Sequence, residues 1–147
     1  MHKTCKAILG ITCMAIPLFA GALTLQIGNP AANPEAQSIK AAVVAQVLAC
    51  HSPEKTTVTA EAIGMVDGKQ QTIQLKVLAL AKPGMYAVTH EWPQTGTWVV
   101  KFVATNPEYK NYATGALIPA KGNTVEWMQA KNYFHDPNSE EVASLLQ

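Results

Sequence analysis

The sequence predicts an all-β protein, an immunoglobulin-like antiparallel β-sandwich with a short C-terminal helix. Three observations carry that expectation. Asp67-Gly68 lies between two runs of alternating apolar and polar residues, and Asp-Gly marks a two-residue type I′ hairpin, whose central residues both need positive φ. Pro83–Ala104 holds two glycine turns, at Gly84 and Gly96, each followed by an aromatic, Tyr86 or Trp98, and then by alternating apolar residues. Turn signals recur about every ten residues, the spacing of a sandwich of short strands.

The Asp67-Gly68 turn also fixes a register. With Val66 opposite Lys69, Ala62 faces Ile73, Ala60 faces Leu75 and Val58 faces Val77, all apolar. The other face pairs Glu61 with Gln74 and Thr59 with Lys76. A slip of one residue would mix the two faces. In the next stretch, Pro93-Gln94-Thr95-Gly96 is short enough to join the two aromatic runs as a second hairpin. Tyr86, Val88, His90 and Trp92 then share one face, and Trp98, Val100, Phe102 and Ala104 share a face of the returning strand. Tyr86, Trp92, Trp98, Val100 and Phe102 are the expected core. Burying such side chains contributes about 1.5–3 kcal/mol each.

The N-terminus has a different character. Lys3 and Lys6 precede Ala7–Leu25, which is almost wholly apolar, and Ala20-Gly21-Ala22 is a small-x-small cleavage pattern. Residues 1–22 therefore read as an export signal, with the mature chain starting at Leu23 in the periplasm or outside the cell. The apolar run is also long enough to span a bilayer, so an uncleaved membrane anchor is the alternative. Lipidation is disfavoured, because the apolar run before Cys13 is short and Cys50 lies far from the N-terminus.

Residues 23–38 contain two Asn-Pro pairs and few large apolar residues, which reads as a flexible tether. The sandwich is expected over residues 39–122. Its first strand is Ile39–Ala49, because Val43, Val44, Val47 and the stop at His51-Ser52-Pro53 outweigh the helix-favouring alanines. Ala113–Pro119, closed by proline, reads as an edge strand. In the C-terminal segment, residues 123–147, Asp136 is the expected cap of a helix that places Val142, Leu145 and Leu146 on one face.

Composition excludes some partners. Removing Lys3 and Lys6 from the 11 basic residues, all of them lysine, leaves 9 against 10 acidic ones, a net of −1. Without arginine or a basic face, nucleic acid is not an expected partner. Cys5 and Cys13 fall in the export segment, leaving Cys50 without a partner for an intramolecular disulfide.

Candidate chemistry is sparse. Cys50-His51 is the one adjacent pair of soft ligand types, suited to Cu(I) or to a reactive thiolate beside imidazole. Neighbours in a strand point to opposite faces, and only a strand ending at Pro53 lets the two side chains converge. His90 has no carboxylate or thiol two residues away and reads as a hydrogen-bonded histidine near a sheet end. His135-Asp136 resembles a His–carboxylate pair, and Met65, Met85 and Met128 are scattered. No nucleophile elbow, phosphate-cradling loop, metalloprotease helix or paired-cysteine metal motif occurs, so no enzymatic activity and no cofactor are expected. Trp127, Met128, Tyr133 and Phe134 have no clear period. They suit either docking onto the sandwich or a contact patch for a partner protein.

Pro83-Gly84-Met85-Tyr86 followed by Gly96-Thr97-Trp98-Val99-Val100 resembles the paired strands of small exported YtkA-like and CopC-like bacterial domains. The resemblance covers about residues 56–104 and implies a sandwich core filled by a tyrosine and a tryptophan, in a bacterial envelope protein. CopC-type relatives bind copper through histidines near the mature N-terminus or in loops, or through methionine-rich loops. This sequence has no methionine-rich run and no histidine near Leu23, so that role does not carry over. The expected function is a non-catalytic binding or accessory module acting on another envelope protein. The alternative is a periplasmic copper-binding protein using Cys50 and His51.

Overall fold

The computed structural model describes residues 21–147. The expected export segment therefore lies outside the described residues, apart from Gly21 and Ala22. In chain order the elements are β1 (Thr24–Gly28), α1 (Pro34–Ser38), β2 (Ala41–Leu48), β3 (Thr57–Val66), β4 (Lys69–Leu75), β5 (Leu78–Ala79), β6 (Met85–Thr89), β7 (Thr97–Thr105), β8 (Ala113–Lys121), β9 (Thr124–Val125), β10 (Lys131–Tyr133) and α2 (Ser139–Ala143). The smaller sheet has the order β1-β2-β6-β5; the larger has β10-β8-β7-β3-β4, with β9 also pairing β8. Every pairing is antiparallel. The protein is an all-β sandwich.

The Asp67-Gly68 hairpin forms in the expected register. Asp67 and Gly68 have φ of 50° and 74°, and Val66, Ala62 and Ala60 face Lys69, Ile73 and Leu75. The ladder ends there, so neither Val58 with Val77 nor Thr59 with Lys76 forms a pair. Beyond that point β3 continues against β7, with Val58 opposite Ala104 and Thr59 opposite Val103.

The second hairpin does not form. β6 pairs with β2 and β5 in the smaller sheet, whereas β7 pairs with β3 and β8 in the larger one. The Pro93–Gly96 connection crosses between sheets, a gap of about 10 Å. Alternation identifies the buried face of each strand but not the sheet to which the strand belongs. The expected core residues accordingly meet across the interior: Val88 and Trp92 pack in one cluster with Trp98, Val100 and Phe102, while Tyr86 is half-buried at its margin.

Residues 23–38 are part of the domain, not a tether. Leu25 lies opposite Val47 in the β1–β2 ladder, and Leu23 and Leu25 are buried. The two Asn-Pro pairs are helix starts: the side chain of Asn29 accepts from Ala31 N ahead of a 3-10 turn, and that of Asn33 accepts from Ala36 N at the start of α1. Asparagine at the cap with proline in the first turn gives both signals.

Nor is β8 an edge strand, being flanked by β7 on one side and by β9 and β10 on the other. Pro119 is accommodated because its carbonyl points away from β7, accepting from Glu126 N at 2.9 Å. Backbone N–H and C=O of one strand residue point the same way, so the β7 ladder loses no bond.

The C-terminal helix is capped by Asn138 in place of Asp136. Asn138 Oδ1 accepts from Glu140 N and Glu141 N at 3.0 Å, and the Glu141 carboxylate accepts from Asn138 N at 2.8 Å, a reciprocal capping box. Val142, Leu145 and Leu146 dock on Ile63, Val99 and Leu117, on the outer face of the larger sheet. Pro137 is fully buried and fills the space left by the missing side chain of Gly115. A helix of five residues has no stability of its own, so this packing holds it.

Candidate functional site

Cys50 and His51 follow the end of β2 on a bend, and both are exposed. The His51 ring stacks on Tyr109 with centroids 4.3 Å apart and planes 11° from parallel. The Tyr109 hydroxyl accepts from His51 N at 2.9 Å and donates to His51 O at 3.0 Å. Buried Asn106 donates to Ser52 O and Thr56 Oγ1, both at 2.9 Å. An ion pair of 2.6 Å joins Lys55 to Glu108. The hydrogen bond from Lys55 holds the Glu108 carboxyl below its ordinary range, and the same bond raises the Lys55 ammonium. The imidazole is thus engaged by the 106–112 loop, while the thiol remains open to solvent. No group of three His, Cys, Asp or Glu side chains among the described residues is placed to hold a metal.

His90 has the role its pattern suggests. Its Nε2 donates to Gly122 O at 3.0 Å, and Trp92 Nε1 donates to the same oxygen at 3.3 Å. The pair ties β6 to the β8–β9 turn. His135 and Asp136 separate: His135 Nε2 lies 3.0 Å from Glu141 Oε1, and Asp136 pairs with Lys101 at 2.7 Å.

The C-terminal aromatic group divides. Trp127 packs against the main core. Tyr133 packs against the α2 cluster, and its carbonyl accepts from Thr114 Oγ1 at 2.8 Å. Burial, with the nearby Glu141 charge, pushes the Tyr133 hydroxyl up. Met128 and Phe134 face solvent, with 82% and 66% of their surface exposed. Phe134 borders a cleft of about 220 Å³ between Leu25 of β1 and Tyr133 of β10. Each is one edge strand of its sheet, and among the described residues no charged side chain lines the cleft between them.

On the outer face of the larger sheet, Lys101 Nζ lies between Asp136 Oδ1 at 2.7 Å and Glu61 Oε1 at 3.7 Å. Gln74 Nε2 donates to Glu61 Oε2 at 2.9 Å. Two clefts of about 310 and 250 Å³ adjoin there and share Glu61 and Lys101. Sequence reading found the Glu61–Gln74 pair but not the site. Lys101 comes from β7, and Asp136 from a segment whose position depends on α2 docking.

These features define an all-β sandwich with exposed surface clefts. Comparison with protein-family models, curated proteins and solved structures gives no match to this chain.

Proposed function

We propose that the chain is an exported, non-catalytic binding module of the bacterial envelope, which engages an extended segment of a partner protein along the open β1/β10 side. One observation carries this reading: Phe134, 66% exposed, stands beside a cleft between two edge strands that, among the described residues, are unpaired on that side and contribute no charged lining. An edge strand presents unpaired N–H and C=O groups, which pair with an added strand, and an aromatic at the rim supplies a hydrophobic anchor. The lining includes Thr24, Gln26 and Asn132 around Leu25 and Phe134. It suits a partner segment that is uncharged and centred on an apolar residue. Intact-mass measurement of the mature protein tests export: loss of residues 1–22 supports it, and a full-length mass points to an anchored chain. Replacing Phe134 by aspartate tests the surface. The partner is expected to be lost while the unfolding midpoint stays unchanged.

A second reading keeps Cys50 and His51 as soft-metal ligands. It rests on both residues being exposed on one bend, where strand alternation no longer separates them. Titration of the reduced protein with Cu(I) against a chelator, repeated with Cys50→Ala and His51→Ala, distinguishes the two. Tight stoichiometric binding lost in both variants would favour the metal.

A further inference from the structure

We propose that the adjoining clefts on the outer face of the larger sheet form a binding trough for a neutral, hydroxyl-rich chain, a short oligosaccharide. This site is separate from the Phe134 surface. Along β3 the side chains of Thr59, Glu61 and Ile63 point outward, and they are flanked by Gln70, Thr72 and Gln74 of β4. The trough runs along four residue steps of β3, about 13 Å at ~3.3 Å per step. Its far wall is the C-terminal segment, from Asp136 to Ala143. Where the trough is open its lining is mainly polar, with Val103 and Ala60 the apolar exceptions, and the face is apolar where α2 covers Ile63, Val99 and Leu117.

The charge pattern selects the ligand. One ammonium lies between two carboxylates, a local net of −1. That balance repels phosphate, sulfate and uronate groups, while Lys101 already occupies the position a cationic ligand would take. A neutral chain meets neither obstacle. Carboxylate oxygens and the Gln74 carbonyl accept, and Lys101, the amides and the threonine hydroxyls donate. A polyol is donor and acceptor at every position and matches such a mixed wall. An extended peptide does not, because strand addition needs a free backbone edge. Beneath the trough the backbone of β7 is already paired on both sides, and that of β3 is paired on both sides from Ala60 to Ile63, with Thr59 alone lacking a β4 partner. Among the described residues no aromatic side chain lines the trough, so recognition is by hydrogen bonding without stacking.

The test is a titration followed by amide NMR, to millimolar ligand, with cellotetraose, maltotetraose, xylotetraose and chitotetraose. Tetragalacturonate and a Gly-Lys-Gly-Lys peptide serve as charged and peptidic probes. Saturable shifts with at least one neutral tetrasaccharide are expected, confined to amides of residues 59–63, 70–74, 101–105 and 136–143. The affinity should fall about tenfold in Glu61→Gln and in Lys101→Met, the effect of losing a hydrogen bond to a charged group. Both are close in shape to the parent residues, and unfolding curves confirm that each variant is folded. Absence of saturable shifts with all four neutral sugars would overturn the proposal. So would tighter binding of the tetragalacturonate or the peptide at the same amides, or neutral-sugar shifts that map to Phe134 instead.

Discussion

The indole of Trp98 occupies the space in which a side chain on Gly64, its cross-strand partner, would stand. Trp98 is fully buried, and its Nε1 donates to Thr95 O at 2.8 Å. One bulky residue thus fills two positions of the β3–β7 face and satisfies its polar atom within the local turn.

Gly64→Ala drives a methyl group into that ring. Overpacking of this kind costs about 1–3 kcal/mol, and denaturant unfolding should show that loss. A variant as stable as the parent would mean that the indole is free to move aside. Trp98→Ala, which empties the site, should cost more, about 3–5 kcal/mol.

Tyr109→Phe removes the hydroxyl that bridges His51 N and His51 O. The ring stack survives but two backbone groups lose a partner, a cost of about 1–3 kcal/mol. Hydrogen exchange should quicken at His51, with β3 unaffected. Unchanged exchange at His51 would show that the loop contact does not hold the bend.

Acid should loosen the C-terminal segment. The Glu141 carboxyl is held below its ordinary value of 4.5, first by the hydrogen bond from Asn138 N and then by His135. Because its folded value is depressed, its contribution is present above 4.5 and is lost as pH falls through the folded value. Exchange protection of the Val142 and Leu145 amides should therefore fall as the pH drops below 4.5. The acid-side fall should be smaller in Glu141→Gln. An identical fall in parent and variant would assign it to other groups.

Local signals were legible where local chemistry decides the structure. Asp67-Gly68 specifies its turn and the register from Val66 to Ala60, because the backbone conformation and the side-chain sorting agree. The β2 strand and the burial of Trp92, Trp98, Val100 and Phe102 follow from the same alternation. Sheet membership was not legible, since Tyr86 and Trp98 show the same pattern whether paired side by side or facing across a core. Asn29-Pro30 and Asn33-Pro34 signal both a linker and a helix start, and only the pairing of Thr24–Gly28 with β2 decides between them. The expected contact patch was half visible. Trp127 and Tyr133 turn inward and Met128 and Phe134 outward, because short, irregular elements give no period from which to read a face.

The proposed protein-binding role is tested most directly by placing a photo-crosslinking phenylalanine at position 134 in the full chain, expressed in its own cells. Position 69, on the edge strand at the opposite side of the larger sheet, serves as the control. A discrete adduct at 134, competed by excess parent protein and absent at 69, is the predicted result. No adduct at 134, or the same adducts at both positions, would contradict it.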